Sequence, residues 1–203
     1  LWGQLLDAID KSRPVRWSTD DKRFRPLVDL LGMVRRGCES PRVDSPNLML
    51  HGPCGTGKTT LQCVLYLGNV EAGIDAVFLD SIELRTLVND LNSKFSQTAD
   101  QADRELARLL RHDVIFWSDV GDTNATRKEF AETISVVLER FGGRLVTSAN
   151  YSPPELEQHP DIGKRAVSRM MALRNGKPAV IVTLDGLDQR RHGMKTQAEV
   201  TSL

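Results

Sequence analysis

The sequence predicts an α/β fold in which a five-stranded parallel sheet is sandwiched by helices. Three observations lead there. Short apolar runs alternate with helix-like stretches along the chain. The runs are bounded and nearly continuous in apolar character, as strands buried on both faces must be. A glycine-rich segment, Gly52–Thr59, joins the first run to the first helical stretch. A length of 203 residues with 40% apolar side chains bounds the whole to one ordinary domain with a short appendage.

The runs suited to buried strands are Asn47–His51, Ala76–Asp80, Val114–Ser118, Arg144–Ser148 and Ala179–Leu184. Helical stretches lie between them at Lys58–Leu67, Ile82–Phe95, Asp103–Arg111, Arg127–Phe141 and Ile162–Met171. In the fourth, Phe130, Ile134, Val137, Leu138 and Phe141 recur at three- and four-residue steps, and Gly142-Gly143 ends the stripe. That pattern is core packing. The polar segment Gln97–Arg104 reads as a loop running into a helix start.

The division expected is an N-terminal helical cap or linker remnant over residues 1–45, the main domain over 46–185, and a polar, basic tail over 186–203. The first part carries helical pieces at Leu5–Lys11 and Pro26–Arg36 around a charged, Pro-containing stretch. The chain opens on Leu-Trp-Gly-Gln, with neither an initiator Met nor a secretory pattern, which leaves room for an upstream domain. It shows no internal repeat.

Twenty-seven basic and 27 acidic residues give a formal net charge of +0. No global field draws such a chain onto nucleic acid, so any contact of that kind has to come from a local patch. No apolar run approaches the roughly 18 residues of a membrane span, so a soluble protein without a membrane partner is expected. Cys38, Cys54 and Cys63 are odd in number and form no C-x-x-C pair, which argues against a disulfide framework or a zinc site. They read as buried or semi-buried thiols in a reducing, cytoplasmic compartment.

The strongest chemical signal is Gly52-Pro53-Cys54-Gly55-Thr56-Gly57-Lys58-Thr59, a full G-x-x-x-x-G-K-[ST] phosphate-binding loop, the P-loop. Main-chain N–H groups have to turn inward around a β-phosphate, and glycine allows the positive φ angles and the close approach. Lys58 supplies charge to the β- and γ-phosphates, the Thr59 hydroxyl suits Mg²⁺, and Thr60 extends the binding set into the helix start. The flanks agree: an Asn-Leu-Met-Leu-His run precedes the loop, and a segment with Leu61, Val64, Leu65 and Leu67 follows it. The site expected is one for a nucleoside triphosphate, with ATP and Mg²⁺ as cofactors. No Asn-Lys-x-Asp guanine-reading segment occurs.

Such a site needs an acid at the end of a neighbouring strand. The candidate is Asp119, in Val114-Ile115-Phe116-Trp117-Ser118-Asp119-Val120-Gly121-Asp122. Two registers are open. Asp119 can be the second of two usual acids, the one that polarises the attacking water, with Ser118 replacing the metal-facing one. Alternatively, Asp119 serves the metal itself, and Asp122 or nothing activates water. The Asp-Val-Gly ending favours the first register. Asp119 can also be a purely structural cap of the following loop. Because a hydroxyl at Ser118 brings no charge, slow ATP hydrolysis is expected.

Four segments together then carry a resemblance. They are the P-loop with its flanks, Ser118-Asp119-Val120-Gly121, Val146-Thr147-Ser148-Ala149-Asn150-Tyr151-Ser152-Pro153-Pro154-Glu155-Leu156, and Lys164-Arg165-Ala166-Val167-Ser168-Arg169-Met170. In that order, over roughly residues 45–185, the sequence resembles the AAA+ ATPase domain of DnaC/DnaI-type replicative helicase loaders, relatives of the DnaA initiator and of IstB-type transposition helpers. The resemblance implies an AAA+/ASCE-type P-loop fold and a role in loading a hexameric replicative DNA helicase onto single-stranded DNA. It also implies self-association around an inter-subunit ATP site.

Carried over by position, Asn150 matches the polar sensor residue that reads the γ-phosphate. Ala149 interrupts the usual Thr-Ser-Asn order, so Ser148 can take that role instead, and Asn150 can equally cap the turn before Ser152-Pro153-Pro154. Arg169 matches the arginine that reaches a neighbouring subunit's nucleotide, and Arg165, one helical turn earlier, can share or replace it. Ordinary surface basicity is the plain alternative for both. No clear lid arginine follows Leu184, although Arg190 or Arg191 approximates one. Candidate DNA contacts are Lys94, Phe95 and Arg127-Lys128, with the clusters Lys22–Arg25 and Arg35-Arg36 as DNA or protein contacts or as solvated faces. Two other functions remain open, an IstB-like transposition helper and a P-loop small-molecule kinase, although the acceptor pocket and arginine-rich lid a kinase needs are not evident.

Overall fold

The computed structural model describes residues 45–122 and 128–184. The expected pieces Leu5–Lys11 and Pro26–Arg36, the clusters Lys22–Arg25 and Arg35-Arg36, Cys38, Arg127 and the tail with Arg190 and Arg191 lie outside them.

Five parallel strands form one sheet in the order β2-β3-β4-β1-β5. They are β1 (Leu48–His51), β2 (Ala76–Leu79), β3 (Val114–Val120), β4 (Arg144–Ala149) and β5 (Val180–Thr183). The helices are α1 (Lys58–Glu71), α2 (Ser81–Leu91), α3 (Ser96–Leu109), α4 (Lys128–Arg140), α5 (Pro153–Gln158) and α6 (Gly163–Met170). No described helix is long and apolar enough to cross a membrane.

Apolar side chains pack both faces of the central strands, with Ser118, Arg144, Thr147 and Ser148 as buried polar exceptions. Leu48, Leu50, Val114, Phe116, Val146 and Val182 pack with Leu65 of α1 on one side. Met49, Ile115, Trp117, Leu145 and Ala149 face α2, α3, α4 and α6 on the other. Tyr66, Phe78 and Phe116 close the α1 side with edge-on and stacked ring contacts at 5.6–6.2 Å. The connection from β1 through α1 to β2 passes over two intervening strands. It leaves the carboxyl ends of β1, β4 and β3 side by side, where ligands of open parallel sheets bind.

Three expectations change. Gln97–Arg104, expected as a loop running into a helix start, lies wholly within α3, which seats Ala102, Leu106 and Leu109 on the core while its polar first half faces outward and carries little apolar periodicity. Phe95 therefore caps α3 instead of closing α2, and it is 77% exposed. Helix α5 was not expected at all. Its start carries a readable signature, Ser152 followed by Pro153 and by Glu155, whose carboxylate accepts from the Ser152 N–H and hydroxyl. Those two bonds hold the Glu155 carboxyl below its ordinary range, the hydroxyl contributing most.

Two smaller corrections concern exposure. Cys54 and Cys63 are exposed and outside any disulfide among the described residues, because the loop and the outer face of α1 carry them. Leu67 is likewise turned outward on α1.

Candidate phosphate-binding site

The loop between β1 and α1 is wound tightly. Gly52, Gly55 and Gly57 take φ values of 147°, 79° and 89°, a region closed to most side chains. At Gly52 space is also lacking, since a Cβ would stand 2.2 Å from the Leu184 carbonyl oxygen. The Gly52 N–H donates to the Ala149 carbonyl at 3.3 Å, which ties the start of the loop to the end of β4.

The loop curls around Lys58. Its buried ammonium donates to the carbonyl oxygens of Gly52 and Pro53, both at 2.7 Å. The Thr56 hydroxyl donates to Pro53 O at 2.9 Å and closes the turn from within. No side chain caps the first turn of α1 and no acid sits in it, so the helix start keeps its partial positive charge beside the loop. Pro53, Cys54, Thr59 and Thr60 line the outer, exposed side.

At the end of β3 the register to β4 slips. Trp117 pairs with Thr147 and Val120 with Ala149, so one extra residue is bulged at Ser118-Asp119. Asp119 has φ 56°, which Asp tolerates better than most residues. Ser118 is buried, and strand alternation puts it on the face of Val114 and Phe116, towards α1.

Ser81 holds the bulge. Its hydroxyl lies 3.0 Å from Ser118 O and 2.7 Å from Asp119 O, sharing one proton between them, and it accepts from the Trp117 indole N–H at 3.0 Å. Ser81 is itself fixed as the first residue of α2 by the Asp80–Glu83 capping box.

A second support comes from α1. Lys58, Gln62, Leu65 and Asn69 share its buried face. The Gln62 amide donates to Trp117 O and Val146 O at 3.1 Å each, and its oxygen accepts from the Ser148 hydroxyl at 2.8 Å. The Asp119 N–H in turn points at Ser148 Oγ across 3.4 Å. Gln62 thus spans the β3–β4 seam one helical turn behind Lys58. The apolar period of α1 hides it, since a fully buried glutamine breaks the stripe that defines a helix face.

Asn150 lies just beyond β4, and its amide donates to the Asp122 carboxylate at 3.2 Å. Asp122 is held by its own N–H donating to Asp119 O at 3.0 Å. Ala149 faces the opposite side of the sheet and is fully buried, while Ser148 is engaged by Gln62. Lys58, Asp119 and Asn150 therefore stand at or beyond the carboxyl ends of β1, β3 and β4, the three inner strands of the sheet.

Arg165 and Arg169 stand elsewhere, on α6. Both donate to one carboxylate, that of Glu139 on α4, each at 2.9 Å. Sequence reasoning missed Gln62, Ser81 and Glu139, because each acts through contacts with residues 26 or more positions away. Among the described residues no cluster of His, Cys, Asp and Glu has the arrangement of a metal site.

A parallel sheet in this order, with a glycine-wound loop between β1 and α1, is the fold of a P-loop domain of the AAA+ class. The family profile described as IstB-like ATP binding protein matches residues 40–158, and the chain belongs to that family.

Among solved structures, the chain is similar to the DnaC helicase loader at 17% identity, over 79% of this chain and 90% of that one, with a TM-score of 0.58. It is similar to DnaI at 19% identity, over 85% and 87% of the two chains, with a TM-score of 0.57. AMPPCP-bound DnaA from Aquifex aeolicus matches at 16% identity over 88% of this chain, with a TM-score of 0.56. The chain spans 52% of that DnaA's length. At such identities the likeness is one of fold. No curated protein sequence matches significantly.

Proposed function

We propose that this chain is a slow ATPase that uses ATP as a switch to load a hexameric replicative DNA helicase onto single-stranded DNA. The observation that carries the reading is the loop already closed around the buried Lys58 ammonium, beside the strand ends that bear Asp119 and Asn150.

The residues fit a triphosphate. Donors converge there from the Lys58 ammonium and the uncapped first turn of α1, with no acid in that turn to oppose an anion. In this reading Gly52, Pro53, Cys54, Gly55, Thr56, Gly57, Lys58, Thr59 and Thr60 form the cradle, and Lys58 exchanges its two loop carbonyls for phosphate oxygens. The Thr59 hydroxyl serves Mg²⁺. Bound ATP supplies a β–γ anhydride whose charge the metal helps to neutralise.

The bulge supports Asp119 as the second acid, the one that orients water, with Ser118 facing α1 where the metal-facing acid is usual. A neutral hydroxyl there weakens the hold on Mg²⁺, which is the reason for slow turnover. Asn150 reads the γ-phosphate after leaving Asp122. Arg169, with Arg165, reaches a neighbouring copy's site, so hydrolysis belongs to the self-associated, cytoplasmic form. Residues 46–185 are the ATPase unit in this reading, 1–45 a cap or linker and 186–203 a tail.

A second reading has its own support. The IstB-like family match favours a helper that delivers a transposase to target DNA. Pull-down from cell extract with ATP and Mg²⁺, read by mass spectrometry, separates the two. A replicative helicase supports the first and a transposase the second, while recovery of neither in the ATP-bound state counts against both.

A further inference from the structure

We infer that Glu139 is a positioning residue for Arg165 and Arg169, gathering two guanidinium groups into one unit that meets the polyphosphate of a second copy of this chain. The inference rests on the arginine role proposed above. Its starting observation is a single carboxylate divided between two cations: Oε2 accepts from Arg165 Nη2 and Oε1 from Arg169 Nη2, both at 2.9 Å.

The two arginines are four residues apart on α6, so their side chains emerge one turn apart on the same face, where like charges repel. Left alone, two long side chains at that spacing splay and sample many rotamers. Glu139 lessens both tendencies, since each guanidinium donates to its carboxylate. Packing fixes the geometry: Ile134 and Val137 of α4 share one core cluster with Ala166, Val167 and Met170 of α6. The carboxylate and the arginines are therefore set opposite each other by buried contacts and do not depend on the ion pairs for their approach.

Charge and exposure suit an anionic partner. Two cations and one anion leave a surplus of one positive charge. Relative exposures of 64% for Arg165 and 42% for both Arg169 and Glu139 leave the unit open to a docking surface. Ion pairs that exposed are weak, so a phosphate oxygen can displace a carboxylate oxygen without a large opposing cost. The arginines then arrive already collected, and less side-chain freedom is lost when the second copy docks.

The test uses the full chain with ATP and Mg²⁺, following sedimentation velocity and phosphate release against protein concentration. Glu139→Gln is expected to need about three- to fivefold more protein for half-maximal self-association and turnover, the range of a weak exposed pair. Glu139→Lys is expected to need more still. Melting temperature and fluorescent-ATP affinity of the dilute protein stay at wild-type values in both. In an Arg165→Ala/Arg169→Ala background, Glu139→Gln adds nothing further.

Wild-type behaviour of Glu139→Gln, with loss in the double-arginine variant, overturns the positioning role and leaves the arginine role standing. Wild-type behaviour of the double-arginine variant removes the arginine role itself, and this inference with it. A Glu139→Gln effect that persists without the arginines marks an ordinary structural residue and overturns the inference.

Discussion

The Ser148 hydroxyl donates to the Gln62 side-chain oxygen across 2.8 Å, joining β4 to the helix that opens with Lys58. Both residues are fully buried, and the same glutamine also donates to the main chain of β3 and β4. The phosphate loop and the strand ends that flank it are thus one mechanical unit. Displacing any of the three strains a saturated hydrogen-bond set that water cannot reach to repair.

Replacing Gln62 with Leu keeps the volume approximately but leaves Trp117 O, Val146 O and the Ser148 hydroxyl without that amide. Unfolding free energy is expected to fall by about 2 to 4 kcal/mol, as for buried polar groups left unpaired. Urea denaturation measures it. A change within experimental error would mean that the seam has no need of the side chain.

Gly52→Ala introduces a Cβ 2.2 Å from the Leu184 carbonyl at a φ of 147°. A loss of about 3 kcal/mol is expected, together with weaker nucleotide binding, because the loop has to shift away from β5. Thermal unfolding and calorimetry with ATP report the two effects. A variant that binds normally would contradict the close packing of the loop against Leu184.

Lys58→Ala removes the ammonium around which the loop is wound. Affinity for ATP is expected to drop by roughly a hundredfold or more, in line with the loss of hydrogen bonds to a charged group. Isothermal titration calorimetry decides it. Wild-type affinity in this variant would discard the phosphate-cradle assignment.

Ser118→Asp restores an acid on the α1-facing side of β3, where the native hydroxyl is buried. Without metal an uncompensated carboxylate there is expected to destabilise the fold by about 3 kcal/mol. Added ATP and Mg²⁺ are expected to recover that stability and to raise turnover. Melting curves with and without Mg²⁺, alongside phosphate release, carry the comparison. A destabilisation that Mg²⁺ leaves untouched would count against Ser118 as the metal-facing position.

Some of this was legible in the chain because it is local. The P-loop declares itself through glycines at fixed offsets from Lys58, and their positive φ angles are a property of each residue's own sterics. The five strands were readable as short, largely apolar runs, since burial favours apolar residues, although the edge strand β5 leaves Ile181 and Thr183 exposed and β4 buries Thr147 and Ser148. The stripe on α4 was readable because Phe130, Ile134 and Val137 keep helical spacing, and all three are buried. By contrast, the first half of α3 hid its helix in a run of polar residues. The start of α5 did carry its capping signature, but within a Pro-Pro turn.

Local patterning thus determined the class of fold and the identity of the phosphate-binding segment. Only the tertiary structure decided the strand order, the bulge that gives Asp119 its left-handed backbone, the burial of Gln62 across the β3–β4 seam, and the union of Arg165 and Arg169 on Glu139. The reason is physical. Periodicity and turn chemistry act between residues a few positions apart, whereas these contacts join residues separated by 26 to 132 positions and exist only once the sheet and its helices have packed.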